Sequence, residues 1–365
     1  MSIKEIIQHL ESIAPSAYQE SYDNSGLIVG DANTECTGVL ICLDSTEDIV
    51  NEAITKGCNL IVAHHPIIFK GLKRLNGKNY IERTVIKAIK NDIAIYALHT
   101  NLDNVFYQGV STMIAEKLGL KNTKILAPKK QLLSKLTTFS PLENTQSILD
   151  ALYAAGAGQI GAYKNCSFRT EGTGTFLPTG DAQPHIGELN KDTEVTENRL
   201  EVIFPSYLSS KIIQTLKKTH PYEEVAYYLQ SIENENQEVG SGIIGELETP
   251  CEALDFLQNV KTTMQCGVVR YTQLLEKKVQ RIAVCGGSGS FLLRDALAQG
   301  ADVFVTADYK YHEFFDANGR IIIADIGHFE SEQYTIQLIF SIISKKFPTI
   351  LVLETKINTN PVSYL

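Results

Sequence analysis

Short runs of wholly apolar residues alternate along this chain with stretches whose apolar residues recur at helical spacing. Residues 38–43 (GVLICL), 59–63 (NLIVA) and 93–98 (IAIYAL) are such runs. A strand that is apolar at every position is buried on both faces, as in a mostly parallel sheet covered by helices. Residues 45–56, 79–90 and 108–118 read as helices. The first opens on a Ser-Thr pair and stops before Gly57, and the third stops before Gly119. The last third repeats the rhythm. Residues 281–285 (RIAVC), 302–305 (DVFV), 320–324 (RIIIA) and 350–353 are expected as strands, and 291–298 and 330–345 as helices, the latter long. Residues 1–15 pattern as an amphipathic helix rather than a signal peptide, because Lys4, Glu5, His9 and Glu11 interrupt the apolar positions.

From about residue 128 to 245 the rhythm is lost. The segment carries Gly- and Thr-rich turns (EGTGTFLPTGDAQPHIG) and an acidic, Asn-rich stretch (IENENQEVG). Only 200–204, 209–219 and 225–230 stand out, as strand, helix and strand. The expected architecture is a discontinuous three-layer α/β domain with a mostly parallel sheet, built from residues 1–127 and 241–365. A small α+β domain, residues 128–240, is inserted into it, with polar, loop-like seams at 127–130 and 237–242.

Composition changes this picture little. Of the 365 residues, 44% are hydrophobic and 21% charged, which is ordinary for a globular chain. No apolar run approaches the ~20 residues that span a bilayer. The formal net charge of −9 disfavours general nucleic-acid binding. A local group, Lys70, Lys73, Arg74 and Lys78, is either a solvated loop or a holder for a small anionic substrate or nucleotide. Seven cysteines, with no C-x-x-C spacing, fit buried reduced thiols in the cytoplasm.

The chemistry gathers where parallel strands end, which is where ligands bind in open α/β sheets. Asp44 follows the first strand, and His64-His65-Pro66 the second. His99, Thr100, Asn101 and Asp103 follow the third. Asp308 follows DVFV with His312 near it, and Asp325, His328, Glu330 and Glu332 follow RIIIA. His64, His65, His99 and His328 are thereby expected on one edge of one sheet. His328 and Glu332 are four apart at a helix start, so both side chains lie on one helix face. Imidazole with carboxylate suits Zn²⁺, with Mn²⁺ or Fe²⁺ as alternatives. His64, His65, Asp103, His328 and Glu332 are the expected ligands of two divalent ions, with Glu332 able to bridge. Five ligands for two ions leave positions open for water, as catalysis requires. Glu332, His99 and Asp308 are the candidates for acid/base work, although His99 also reads as an outer partner or a backbone-bonded histidine. CGGSGS (285–290) reads either as a phosphate cradle or as glycines needed for packing. His9, His185 and His220 read as surface or structural.

The motifs AHHPIIFKGL (63–72), LHTNLDN (98–104) and GHFESE (327–332), in that order, resemble the Nif-three-like family, whose bacterial members often carry the label GTP cyclohydrolase I type-two homologue. DNSGLIVG (23–30), CGGSGS, TADYKYHE (306–313) and HPYEEVAYYL (220–229) extend the resemblance over nearly the whole chain. Tyr22 and Phe329 depart from it, standing where many relatives have Trp and Tyr. The resemblance implies a dinuclear metal site on the five residues above. It also implies toroidal homohexamers with the metal sites facing an internal cavity, and an insert like the CutA and P-two signal proteins. Two functions follow as expectations. One is a metal-dependent hydrolase of cyclohydrolase or phosphoesterase type. The other is a non-catalytic, metal-binding hexameric scaffold or regulator with a sensory insert.

Overall fold

The computed structural model describes residues 1–365 throughout. The chain divides into two compact units: Met1–Ala127 with Glu238–Leu365, and Pro128–Gln237. The return to the larger unit thus falls at Gln237–Glu238 rather than after residue 240.

The larger unit is a mixed α/β fold with two sheets. The first contains β1 (Gly26–Val29), β2 (Val39–Cys42), β3 (Leu60–Ala63), β4 (Ala94–Ala97) and β15 (Val352–Glu354), in the order β1-β4-β3-β2-β15. Its inner strands are parallel, and only β1 runs against its neighbour. Every residue of β2, β3 and β4 is buried, which explains their uninterrupted apolar sequences. The connecting helices begin and end where the sequence marks them. Thr46 caps Glu47–Lys56 by accepting from Ile49 N at 3.3 Å, and Gly57 ends it in the left-handed region at φ 70. Asn79 caps Tyr80–Lys90 by accepting from Glu82 N at 2.9 Å.

The second sheet contains β5 (Lys121–Lys129), β10 (Asn236–Cys251), β11 (Arg270–Tyr271), β12 (Val279–Ser288), β13 (Val303–Ala307) and β14 (Ile322–Asp325), in the order β11-β14-β13-β12-β10-β5. Its centre, β12-β13-β14, is parallel, and β10 and β11 flank it antiparallel. The single sheet expected from the sequence is therefore two. Apolar periodicity identifies a buried strand but says nothing of which sheet it joins. Helices Val110–Lys117 and Thr335–Lys346 link the sheets: the first packs on β12, the second on β2 and β15, and they pack on each other.

The expected long helix at 330–345 is also two. His328–Glu332 is followed by a break at Gln333–Tyr334, and Thr335–Lys346 continues. Tertiary bonds fix the break: Gln333 Nε2 donates to Met264 O at 2.7 Å, and the Tyr334 hydroxyl donates to Thr263 O at 2.6 Å. Met264 and Thr263 close a helix, Ala253–Thr263, that the pattern reading passed over.

Phe304, fully buried in β13, anchors the core on the second sheet together with Leu126, Ile244 and Ile323. Phe304→Ala should lower unfolding stability by ~3–5 kcal/mol through lost burial and a residual cavity. The urea midpoint of the purified variant measures this, and a midpoint equal to wild type would contradict the packing described.

The smaller unit has its own core around Leu136, Leu152, Phe204 and Leu216. Its strands are β6 (Leu133–Pro141), β7 (Phe168–Phe176), β8 (Thr193–Pro205) and β9 (Tyr227–Ile232), all antiparallel in the order β7-β8-β6-β9. Helices Thr145–Ala155 and Ser209–Thr219 make the chain order βαββαβ, the ferredoxin-like arrangement. β7 occupies part of the stretch read as Gly/Thr turns. It is an edge strand with almost every residue exposed, so no apolar alternation marks it.

Candidate metal centre

Two strand ends of the first sheet and one of the second supply the cluster. The chain leaves β3 at His64 and His65, and Pro66 ends the pairing. It leaves β4 at His99 and enters the short helix Thr100–Asp103, which carries Asp103. It leaves β14 through Gly327 and enters His328–Glu332. All five expected ligands meet here.

Glu332, which is 3% exposed, sits at the centre. Its Oε1 lies 3.7 Å from His64 Nε2, and its Oε2 lies 2.9 Å from His65 Nε2 and 3.1 Å from His328 Nε2. His64 Nε2 is 3.6 Å from Asp103 Oδ1, and His65 Nε2 is 3.3 Å from His328 Nε2. The atoms thus fall into two groups that share Glu332. Oε1 faces His64, which in turn faces Asp103; Oε2 faces His65 and His328. Atoms ~2.0–2.1 Å from a tetrahedral ion lie roughly 3.3–3.4 Å from one another, and the observed spacings bracket that value.

Each histidine is turned so that Nε2 faces the cluster, because its Nδ1 is held from behind. The Nδ1 proton of His64 goes to Leu98 O at 2.7 Å, that of His65 to Asp44 Oδ1 at 2.8 Å, and that of His328 to Asp308 Oδ2 at 2.7 Å. Outer partners of this kind fix the tautomer and ring orientation of metal-binding histidines. His64 Nε2 and Asp103 Oδ1 are buried without any hydrogen-bond partner. Buried polar atoms are ordinarily satisfied, and a bound cation would satisfy both of these. The residues therefore fit a metal, and the cluster of His64, His65 and Glu332 is a candidate metal-binding group.

The side chains of the cluster set one another's protonation. Burial pushes His64 below the usual histidine range. Burial also opposes charge on His65 and His328, but their carboxylate partners outweigh it, raising His65 to about 10 and His328 to about 11. Burial and the neighbouring Glu332 carboxylate raise Asp103 well above the carboxylate range. Burial would raise Glu332 too, but the surrounding imidazoles hold it well below.

The remaining candidates separate. His99 lines the cavity, with its ring 5.4 Å from His64 and 5.5 Å from His65 between centroids. Its Nδ1 donates to Asp23 Oδ1 at 2.7 Å, so it is neither backbone-bonded nor a partner of the cluster carboxylates. Asp308, in the left-handed region at φ 60, stands behind His328. His312 is exposed on Tyr311 and Phe315, outside the cavity. CGGSGS stands where close packing requires glycine. Two of its amides are engaged internally, Gly286 N donating to Ser111 Oγ at 3.4 Å and Gly287 N to Ser331 Oγ at 2.9 Å, and β12 runs on through both glycines. Gly287 instead makes room: at φ +60, a Cβ there would lie 2.4 Å from Glu332 Oε1. Asp44 and Asp23 went unassigned in the sequence, although Asp44 stands at a strand exit as the ligands do.

The cluster opens into a cavity of ≈ 1350 Å³. Lys70, Lys73 and Arg74 line it, and none is paired with a carboxylate. Lys78 is not among the lining residues. No helix is long and apolar enough to cross a membrane.

The chain is 37% identical over 370 residues to a "GTP cyclohydrolase 1 type 2 homolog" of Staphylococcus aureus (strain MSSA476), covering 100% of both. It is 38% identical over 369 residues to a protein of the same name from Bacillus subtilis (strain 168), covering 99% of this chain and 98% of that one. Among solved structures it matches a Bacillus cereus protein related to NIF3 with TM-score 0.86 and 37% identity, over 100% of this chain and 99% of that one. The model of the Duf34/NIF3 (NGG1p interacting factor 3) family matches residues 1–361. With both the family model and end-to-end relatives in agreement, the chain belongs to the Duf34/NIF3 family.

Proposed function

We propose that this protein is a dinuclear-metal-dependent hydrolase acting on a small anionic substrate. The observation that carries the reading is the buried, unpartnered pair His64 Nε2 and Asp103 Oδ1 beside a carboxylate shared with His65 and His328. His64, Asp103 and Glu332 would hold one ion, and His65, His328 and Glu332 the other, with zinc the first choice and manganese or iron the alternatives. Bound there, the ions supply Lewis acidity and a nucleophilic water at neutral pH.

The chain's own residues do the rest. Glu332 is committed by both oxygens, and Asp308 is committed to orienting His328. We therefore assign proton handling to His99, whose Nδ1 is fixed by Asp23 while Nε2 makes no hydrogen bond. Lys70, Lys73 and Arg74 would receive the anionic end of the substrate. GTP, named in the relatives' label, is one substrate of this class. Metal-loaded wild type beside Asp103→Ala, screened on phosphoesters, cyclic amides and GTP, tests the reading. Turnover in the wild type alone supports it.

One observation favours a second reading, a metal-binding hexameric scaffold with a CutA- or P-two-like sensory insert. The βαββαβ unit has a core of its own. Metal binding with no turnover on any substrate of the screen would favour that reading.

The proton pattern gives a pH dependence. His65 and His328 carry protons at neutral pH in the metal-free protein, and an ion must displace them. Uptake at pH 7 should release at least about two protons per chain, with the raised Asp103 carboxyl adding to the count, and affinity should rise with pH from 6 to 8. Calorimetry in buffers of different ionisation enthalpy measures the release. Uptake without release, at constant affinity, would show that these imidazoles are not the ligands.

A further inference from the structure

We infer that the segment 355–365 is a strap that completes the metal centre, with Thr359 as the residue that positions Asp44, and through it His65. The inference rests on the metal reading above.

The strap leaves β15 without regular structure. It is tied down first on the first sheet: Thr355 N donates to Ile41 O at 2.9 Å, the Thr355 hydroxyl donates to Glu52, and Lys356 N donates to Glu52 Oε1 at 3.1 Å. At Thr359 the hydroxyl donates to Asp44 Oδ2 at 2.8 Å, while the other oxygen of Asp44 accepts the Nδ1 proton of His65 at 2.8 Å. Further on, Asn360 Nδ2 donates to Glu330 Oε1 at 3.2 Å, on the helix that carries His328 and Glu332. Tyr364 ends the crossing against two glycines of the second half of the unit. A Cβ at Gly267 would lie 2.5 Å from its ring, and one at Gly327 would lie 3.1 Å from its hydroxyl. One segment therefore joins the edge of the first sheet to the turn that delivers His328, and it lines the metal cavity on the way.

The physical consequence centres on Asp44. Its side chain is 37% exposed at a strand exit, where rotamers are free and water competes for both oxygens. Thr359 takes one oxygen and leaves the other aimed at His65. The orientation of a metal-binding imidazole is set by the partner of its far nitrogen. Thr359 therefore sets the direction of His65 Nε2 at one remove, from 294 residues further along the chain (359 minus 65). If Thr359 merely satisfied a surface carboxylate, its loss would leave the metal unaffected.

The test uses full-length protein stripped with chelator. It is titrated with Zn²⁺ against a chromophoric competitor and, separately, with Co²⁺ followed by visible absorption. Thr359→Val and Thr359→Ala both remove the donor, the first with the side chain's shape kept and the second with a smaller side chain. Each should weaken one of the two uptake steps roughly 10-fold, at the low end of the effect of losing an outer partner. Each should also shift the Co²⁺ bands while leaving the thermal midpoint within a few degrees of wild type. Thr359→Ser, which keeps the hydroxyl, should restore wild-type affinity and spectrum. Wild-type affinity and spectrum in both Val and Ala variants would overturn the strap while leaving the metal centre standing. Wild type that binds neither ion would overturn both.

Discussion

Glu332→Ala should leave the protein unable to retain metal, with affinity for both ions falling by more than about 100-fold, beyond the effect of losing an outer partner. Glu332 is the one group that reaches both halves of the cluster. Oε1 faces His64 at 3.7 Å, and Oε2 faces His65 at 2.9 Å and His328 at 3.1 Å. Without it, His65 and His328 face each other at 3.3 Å with no carboxylate between them. Both imidazoles then lose a partner that holds them protonated, so they titrate at lower pH. The sign follows for the metal-free wild type. Histidines raised above their unfolded value of ~6.5 stabilise the fold fully below that pH, and this stabilisation is lost as pH rises through 10 and 11. The alanine variant should lack part of it. Elemental analysis of the variant settles the main point: metal at the wild-type level would mean that Glu332 is not a shared ligand.

Gly287→Ala should empty the same centre without altering any ligand. Alanine at φ +60 carries a left-handed penalty of about 1–2 kcal/mol. The larger effect is steric. The new methyl would lie 2.4 Å from Glu332 Oε1 and 3.3 Å from His328 Cε1, so the carboxylate must move off the position where it serves both halves. Gly300→Ala is the matched control: it has the same backbone strain at φ +71 with nothing within 4 Å. Both variants should lose similar backbone stability, but only Gly287→Ala should lose metal affinity, by at least roughly 10-fold. Equal metal binding in the two would remove the steric account.

What was legible in the sequence tracks local constraint. His64, His65, Asp103 and His328 stand just beyond wholly apolar strands, so their placement follows from strand ends and nearest turns. The four-residue spacing of His328 and Glu332 carried onto one helix face as helical geometry requires. Membership of two sheets was not legible, because Ile61 in one sheet and Ile323 in the other are both fully buried and their apolar runs look alike. Nor were the partners behind the histidines. Asp308 serves His328 from a different strand, and Thr359 reaches Asp44 across most of the chain. The role of Gly287 depends on a contact with Glu332 that no local pattern encodes, which is why CGGSGS read equally as an anion loop or as glycines needed for packing. In the insert, Ser209–Thr219 was visible from its amphipathic spacing, whereas the exposed edge strand Phe168–Phe176 offered no apolar alternation to see.

The central claim is that five side chains from three strand exits hold two divalent ions. Its most direct test is the metal content of wild-type protein purified without chelator, followed by titration of the stripped protein with Zn²⁺, Mn²⁺ and Fe²⁺. The account predicts about two ions per chain, removed by chelator and restored by titration. Protein that carries no metal and takes up none of the three ions would contradict it.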